Sequence, residues 1–380
     1  MEDRAIFRPT GVAELTEIVA AAVAEEVPLE VVGAGSKRGF GRPVEARHTL
    51  DVSGLAGVDL YEPEELVMSA GAGTPLAKIE AMLTERKQEL AFEPADYGAV
   101  LGGEPGRQTI GGVFACNLSG PRRLKAGAAR DHLLGVECVT GYGQAIKSGG
   151  RVVKNVTGYD LPKVLAGSFG TLAVLTRVIF KVLPTAEAST TLLVRGAGEV
   201  ELLGCLRTAM QTSFEVSGAA VLPPLAGGRS TVKAVQDQGV ALACLRLEGA
   251  APSVAYRADM LEKPLARPDA RFVRLEGEDS RTLWREIRDV RLLTPGRALW
   301  RLSIAPAAAS ELRDWLAEMS PERLYDWSGG LVWLAPKDSW AGAAETIRRA
   351  FEGRGGHATL VRASEELRRE VDPFEPQPRP

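Results

Sequence analysis

The spacing of apolar residues divides the chain into two textures that meet near Pro184. Residues 11–26, GVAELTEIVAAAVAEE, set Leu15, Ile18, Val19, Ala22 and Val23 on one face at helical spacing. Leu29–Val32 reads as a short strand running into GAGSKRGFGRP, residues 33–43. Further strands are expected at 49–52, 58–61 and 66–70, and Thr74 followed by Pro75 predicts the start of a helix reaching about Arg86. FEPADYGAVLGGEPG (92–106) reads as loop. The stretch from Thr109 to Pro184 is then rich in glycine and small residues, with strands at Leu133–Thr140 and Gln144–Lys147 and a loop at Lys154–Asp160. A glycine turn, GSFG, opens its last strand, TLAVLTRVIFKVL.

Beyond Pro184 the glycine motifs thin out and apolar strands alternate with amphipathic helices. Strands fall on TTLLVR, SGAAVLPP, ALACLRLEG, 271–275, 298–304, 322–327, 331–334 and 357–361, with helices expected at 199–210, 253–262, 280–292, 307–319 and 341–352. This alternation predicts an α+β unit, an antiparallel sheet with helices on one side. Three regions follow: residues 1–186, a cap over 187–365, and a proline-rich tail over 366–380, ending VDPFEPQPRP, expected to be disordered.

Length and composition add limits. The 380 residues suffice for two or three domains, and the net charge of -3 gives no general attraction to nucleic acid or acidic lipid. Cations gather at one place, Arg122, Arg123, Lys125 and Arg130. The four cysteines have no metal-ligand spacing, and the three histidines, His48, His132 and His357, are far apart in the chain, so no metal site is expected. Free thiols and an N-terminus without a signal pattern suggest a cytoplasmic protein.

The loop after Leu29–Val32 invites a dinucleotide-fold reading, with Asp51 near the distance of a ribose-binding acid. Its spacing, G-A-G-S-K-R-G, differs from G-x-G-x-x-G, and GFGRPV cannot open a helix. Nor is it a P-loop. What remains is a run of successive backbone N–H groups able to wrap a pyrophosphate.

Taken with EPADYG, TIGGVFACNLSGP, GAARDHLLGVECVTGYG and GGRVVKNVTGYDLPKVLAGSFGTLAVL, this loop resembles the flavin-binding domain of the vanillyl-alcohol oxidase and p-cresol methylhydroxylase (PCMH) type. Within that superfamily it is most similar to the E-subunit family of bacterial glycolate oxidases. The resemblance is strong over about residues 30–184. It implies a two-subdomain PCMH-type FAD-binding domain followed by an α+β cap. It also implies that the amides of Gly33, Ala34, Gly35, Ser36, Lys37, Arg38 and Gly39 hold the FAD pyrophosphate. Thr109, Gly111, Gly112, Ala115, Asn117, Ser119 and Gly120 would line the flavin and its ribityl chain, with Pro94 nearby. Val136, Glu137 and Val174 would offer backbone groups to the adenine or flavin edges, and Lys154, Asn155 and Tyr159 would approach the isoalloxazine.

The departures carry information. Relatives with covalent flavin have histidine in the first glycine loop; GAGSKRG has none, so FAD is expected to be non-covalent. Hydroxy-acid dehydrogenases of the superfamily cluster histidines in the cap, whereas here His357 stands alone. The closing element that relatives return to the flavin domain has no counterpart in VDPFEPQPRP.

The resemblance thus implies an FAD subunit supporting oxidation of glycolate to glyoxylate beside a catalytic FAD subunit and an iron–sulfur subunit. It would meet the inner face of the plasma membrane only through those partners. The alternatives are a self-sufficient FAD oxidoreductase for another small 2-hydroxy acid or alcohol, with Arg291, Arg297, Arg301, Tyr325 and Trp327 as cap candidates, and a structural subunit with a decayed flavin site.

Overall fold

The computed structural model describes residues 4–151, 158–315, 319, 321–338, 341–351 and 355–376. The chain opens with β1 (Ile6–Phe7), α1 (Val12–Ala24), β2 (Leu29–Val32) and β3 (His48–Asp51); the strands pair in parallel in the order β1-β3-β2. Leu15 and Val19 of α1 are buried against Leu50 and Val52, and against Val139 and Val174 of the next sheet. The apolar stripe read from the sequence is thus the face that joins the two subdomains.

The second subdomain comprises β4 (Val58–Glu62), β5 (Val67–Gly71), α2 (Leu76–Glu85), β6 (Gln88–Glu89), α3 (Ile110–Cys116), α4 (Arg123–Ala126), α5 (Ala129–His132), β7 (Leu133–Thr140), β8 (Ala145–Gly149), α6 (Leu161–Leu165), β9 (Ala173–Lys181) and β10 (Leu183–Pro184). Its five-stranded antiparallel sheet has the order β4-β5-β9-β7-β8. Met68, Val136, Val178 and Phe180 pack against Ile79 and Leu83 of α2 and Ile110, Val113 and Phe114 of α3.

Two local expectations change here. Pro75, not Thr74, occupies the cap of α2. The Thr74 hydroxyl, fully buried, instead donates to Gly71 O (2.7 Å) and accepts from Gly57 N (2.9 Å), because the buried turn needs those backbone groups satisfied. And TIGGVFAC, read only as small residues, contains the helix α3. Thr109 caps it by accepting from Gly112 N (3.3 Å), and burial of Ile110, Val113 and Phe114 outweighs the poor helix propensity of two glycines.

The remaining chain supplies β11 (Ala188–Arg195), α7 (Glu199–Met210), β12 (Gly218–Leu222), α8 (Pro224–Gly227), α9 (Lys233–Gln236), β13 (Leu242–Gly249), α10 (Ala251–Leu265), β14 (Arg271–Glu276), α11 (Gly277–Arg288), β15 (Leu299–Ser303), α12 (Ala309–Trp315), β16 (Glu322–Asp326), β17 (Leu331–Ala335), α13 (Ala341–Arg349), β18 (His357–Arg362) and α14 (Glu365–Glu370). The eight strands form one antiparallel sheet, β14-β11-β13-β12-β16-β17-β15-β18. Strand alternation sends Leu192, Val221, Leu245, Trp300 and Leu334 to one face, under α7, α10, α12 and α13. The other face is not bare, which corrects the expectation of helices on one side only. Leu283, Trp284 and Ile287 of α11 cover part of it, and Ala95, Tyr97, Val100 and Leu118 of the N-terminal half cover another part.

An ion cluster crosses the same interface. Arg246, almost fully buried, donates to Glu93 (2.7 Å); Arg122 donates to Glu248 (2.9 Å) and Glu89 (2.8 Å); and Ser217 Oγ donates to Glu248 (2.6 Å). Burial by itself would raise the Glu93 carboxyl, but Arg246 and Arg122 outweigh it and hold its pKa at about 2.

The tail also needs correction: residues 366–376 are ordered rather than disordered. Arg368 donates to Gly41 O (2.9 Å), Arg369 pairs with Glu45 (2.7 Å) and Arg42 with Asp372 (2.5 Å). Leu360 N donates to Pro373 O (2.7 Å), which ties the segment to the cap as well.

Candidate cofactor site

Between β2, α3 and the turn 167–172 lies a cleft of about 900 Å³. One wall is the loop after β2, which folds as two successive turns, Arg38 N to Gly35 O (3.2 Å) and Phe40 N to Lys37 O (3.0 Å), with Gly35 at φ +68°. That conformation is open to glycine at little cost. Among the described residues, the amides of Ala34, Gly35, Ser36 and Lys37 donate to nothing in the protein. The opposite wall is α3, sewn to the β5–α2 turn by Ile110 N to Thr74 O (3.0 Å) and Gly111 N to Ala72 O (2.9 Å). A Cβ on Gly111 would stand 2.6 Å from Ala72 Cβ, and one on Gly33 2.5 Å from Thr109 Oγ1, so glycine permits the close approach at both positions.

Lys37 reaches across the cleft to donate to Gln108 Oε1 (3.2 Å), and a Cβ on Gly112 would lie 3.8 Å from its Nζ. No carboxylate pairs with it among the described residues, and burial lowers its pKa. The mouth is aromatic: Phe40 and Phe374 each meet Phe169, with centroids 5.3 Å apart in both pairs. A second, mostly apolar groove of about 410 Å³ lies under α1 and shares Leu29, Val31 and Gly170–Ala173 with the cleft.

The residues singled out from the sequence divide among several places. Gly33, Ala34, Gly35, Ser36, Lys37, Arg38, Thr109, Gly111, Gly112 and Ala115 line the cleft, although the Arg38 guanidinium turns back onto Glu30 (2.9 Å). Gly39 packs on Leu101. Val174 faces the groove under α1, whereas Val136 is core and Glu137 pairs with Lys147 (3.3 Å). Asn117 ends α3 at φ 50°, its Oδ1 accepting from Arg130 N (3.0 Å), and Ser119 Oγ accepts from Ala129 N (2.9 Å). Gly120 sits against Glu93 and Arg288, Pro94 lines a separate polar hollow with Asp96 and Arg288, and Tyr159 is exposed. Lys154 and Asn155 lie outside the described residues. Phe40, Phe169, Gln108 and Phe374 were not singled out. Of these, Phe374 gave no local signal, since only the return of the tail brings it to the cleft.

Residues 4–149 match the FAD binding domain family. The glycolate oxidase subunit GlcE of Escherichia coli (strain K12) is 33% identical over 379 residues, an alignment covering 94% of this chain and 93% of that one. The chain belongs to the GlcE family. The glycolate oxidase subunit GlcD of Bacillus subtilis (strain 168) is 28% identical over 220 residues, 58% of this chain and 44% of that one. Among solved structures, 4-ethylphenol oxidase from Gulosibacter chungangensis (TM-score 0.70) and p-cresol methylhydroxylase (TM-score 0.67) each share 13% identity over 95% of this chain and 81% of theirs. The fold is thus the PCMH-type FAD-binding fold, and FAD is the cofactor of this GlcE-family oxidoreductase subunit. The cleft suits that group: four unpaired amides and a partly buried ammonium with no ion-pair partner among the described residues are what a pyrophosphate requires.

No helix among the described residues is long and apolar enough to cross a membrane.

Proposed function

We propose that the chain is the FAD-holding subunit of a complex that oxidises glycolate to glyoxylate, working beside a catalytic FAD subunit and an iron–sulfur subunit. The observation that carries the cofactor part is the set of unpaired amides at Ala34–Lys37, with the Lys37 ammonium beside them. In this reading the nest and Lys37 bind the two phosphates, and the apolar groove of Leu29, Val31, Leu172 and Val174 receives the adenine. Gly111, Gly112 and Ala115 let the backbone of α3 lie close to the ribityl chain, and the stretch Asn117–Gly120 runs on toward the flavin end. Phe40, Phe169 and Phe374 exclude water from the mouth. When bound, FAD supplies an acceptor for the two electrons removed from the alcohol carbon. The glycolate part is supported by the near full-length likeness to a glycolate oxidase subunit.

FAD is held without a covalent bond in this reading. No histidine lines the cleft, and burial pushes the Cys116 thiol up to about 11, which keeps it protonated and a poor nucleophile. The test is to denature the purified protein and examine the supernatant. Free FAD is expected; flavin that stays with the polypeptide, or a protein that takes up no FAD alone or with its partner subunits, refutes the assignment. Anaerobic glycolate should bleach the flavin only when the partner subunits are present. Bleaching of the isolated chain by glycolate would establish the self-sufficient alternative.

A further inference from the structure

The basic run contributes four cations, and the fold occupies three of them internally. Arg122 binds Glu89 and Glu248, Lys125 binds Glu215 (2.7 Å), and Arg130 donates to Ala166 O (2.8 Å). The Arg123 guanidinium alone makes no hydrogen bond or ion pair among the described residues. Its carbon lies 4.5 Å from the centre of the Trp327 ring. Arg301, on β15, places its own guanidinium 5.0 Å from the same ring and likewise has no acceptor. Arg301 pairs across the sheet with Thr359, and Ser303 with His357, so these side chains share the sheet face that looks toward the N-terminal half. Burial first, and then repulsion from Arg301, lowers the pKa of Arg123; burial, Arg301 and Arg123 likewise lower that of His357. Cations therefore converge here, and no carboxylate forms an ion pair with the Arg123 or Arg301 guanidinium among the described residues.

The carboxylates that face them are otherwise engaged. Asp131, beside Arg123, accepts from Ala128 N (2.8 Å), Asp326 from Trp327 N (2.7 Å), and Glu375 from Ala358 N (3.0 Å). Trp327 is fixed in place: its Nε1 donates to Gly120 O (3.1 Å), which holds the ring at the end of the Thr109–Gly120 stretch. It also holds a conformation that an aromatic residue rarely adopts, φ 50°, with Ser328 beside it at φ 58°. Strain of this kind persists where the surroundings impose it, often at sites that bind something.

We propose that Arg123, Arg301 and Trp327 form a binding site for a small carboxylate, across the junction of the FAD-binding half and the cap. Two unpaired guanidiniums offer the forked donors that a carboxylate accepts, and the indole holds them in place by cation–π contact. The site rests on the functional reading above, in which glycolate and glyoxylate are members of this class.

The probe is oxalate, added to the FAD-loaded full chain and followed by tryptophan fluorescence and calorimetry. One oxalate should bind per chain. Arg123→Gln and Arg301→Gln should each weaken it at least tenfold with FAD content unchanged, and Lys125→Gln should leave it as it was. The site is overturned if oxalate does not bind, if both arginine variants bind it as tightly as the parent, or if inorganic phosphate binds equally well. Should Arg301→Gln lose FAD or its melting transition, Arg123→Gln decides, because replacing its guanidinium breaks no side-chain hydrogen bond or ion pair. A chain that binds oxalate but no FAD overturns the cofactor reading and leaves this site standing; a chain with FAD and no oxalate does the reverse.

Discussion

The loop Ala34–Lys37 and the cluster of Glu93, Arg122, Arg246 and Glu248 are both polar and both lie inside the fold's clefts and seams, yet they are built on opposite terms. In the cluster each charge meets its opposite within the chain, from 2.7 Å between Arg246 and Glu93 to 2.9 Å between Arg122 and Glu248. In the loop, four amides donate to nothing in the protein and the Lys37 ammonium meets the neutral Gln108, while Glu30 on the cleft's lining is taken up by Arg38 and Arg4. Polarity alone would rank the two alike. Satisfaction separates them: a polar group that the protein completes by itself holds the protein together, and one left incomplete awaits something else.

The contrast can be broken from either side. Arg246→Met leaves Glu93 with Arg122 as its one remaining arginine partner and should cost about 3 kcal/mol of stability, read by urea unfolding, while the folded fraction still takes up FAD. Lys37→Met should do the opposite. Removing a partly buried ammonium that has no ion-pair partner leaves the FAD-free protein as stable as before or more so, while FAD affinity falls about 10- to 100-fold, the worth of a charge-assisted contact. If Lys37→Met unfolds the FAD-free protein, or Arg246→Met expels FAD from folded molecules, the distinction fails.

Two pH effects of opposite sign sharpen it. The folded pKa of Glu93 is depressed to about 2 from an ordinary value of 4.5, so its contribution is complete above pH 4.5 and is lost as the pH falls toward 2. Asp326, fully enclosed, is raised by burial from 3.8 to about 7. The folded state then holds the proton more tightly, and stability declines as the pH rises from about 4 to 7. Asp326→Asn should flatten that decline, and Glu93→Gln should remove the acid-side loss, in melting temperatures recorded across pH 2–8. The smallest effect belongs to Lys125→Ala at the exposed Glu215 pair: a change within about 0.5 kcal/mol and no change in FAD binding.

Elements with a strong local period were legible in the sequence. The stripe Leu15, Ile18, Val19 anticipates α1, and the apolar run ending in VIFKVL anticipates β9. The helix α3 was hidden because its stability comes from Ile110 and Phe114 entering a core made by distant strands, against the preference of Gly111 and Gly112. EELRRE at α14 offers a single apolar residue, Leu367, too little to set a period; its place comes from contacts such as Arg368 to Gly41, 327 residues away. In the candidate site the loop Gly33–Arg38 was visible as a glycine motif. That Arg122 and Arg123, adjacent in one basic run, have unlike roles was not, because their partners lie at residues 89, 248, 301 and 327.

The docked tail has a consequence for how the protein is made. The glycine loop leaves the ribosome early, but Arg368, Asp372 and Phe374, which brace it and roof its cleft, are translated after the whole cap. A nascent chain therefore has its phosphate-binding turns long before it has their clasp. Cofactor acquired during translation would sit in an open cradle, and retention would begin only once the last helix had folded back. A chain that stopped after residue 364 would have the cleft but not the residues that roof it.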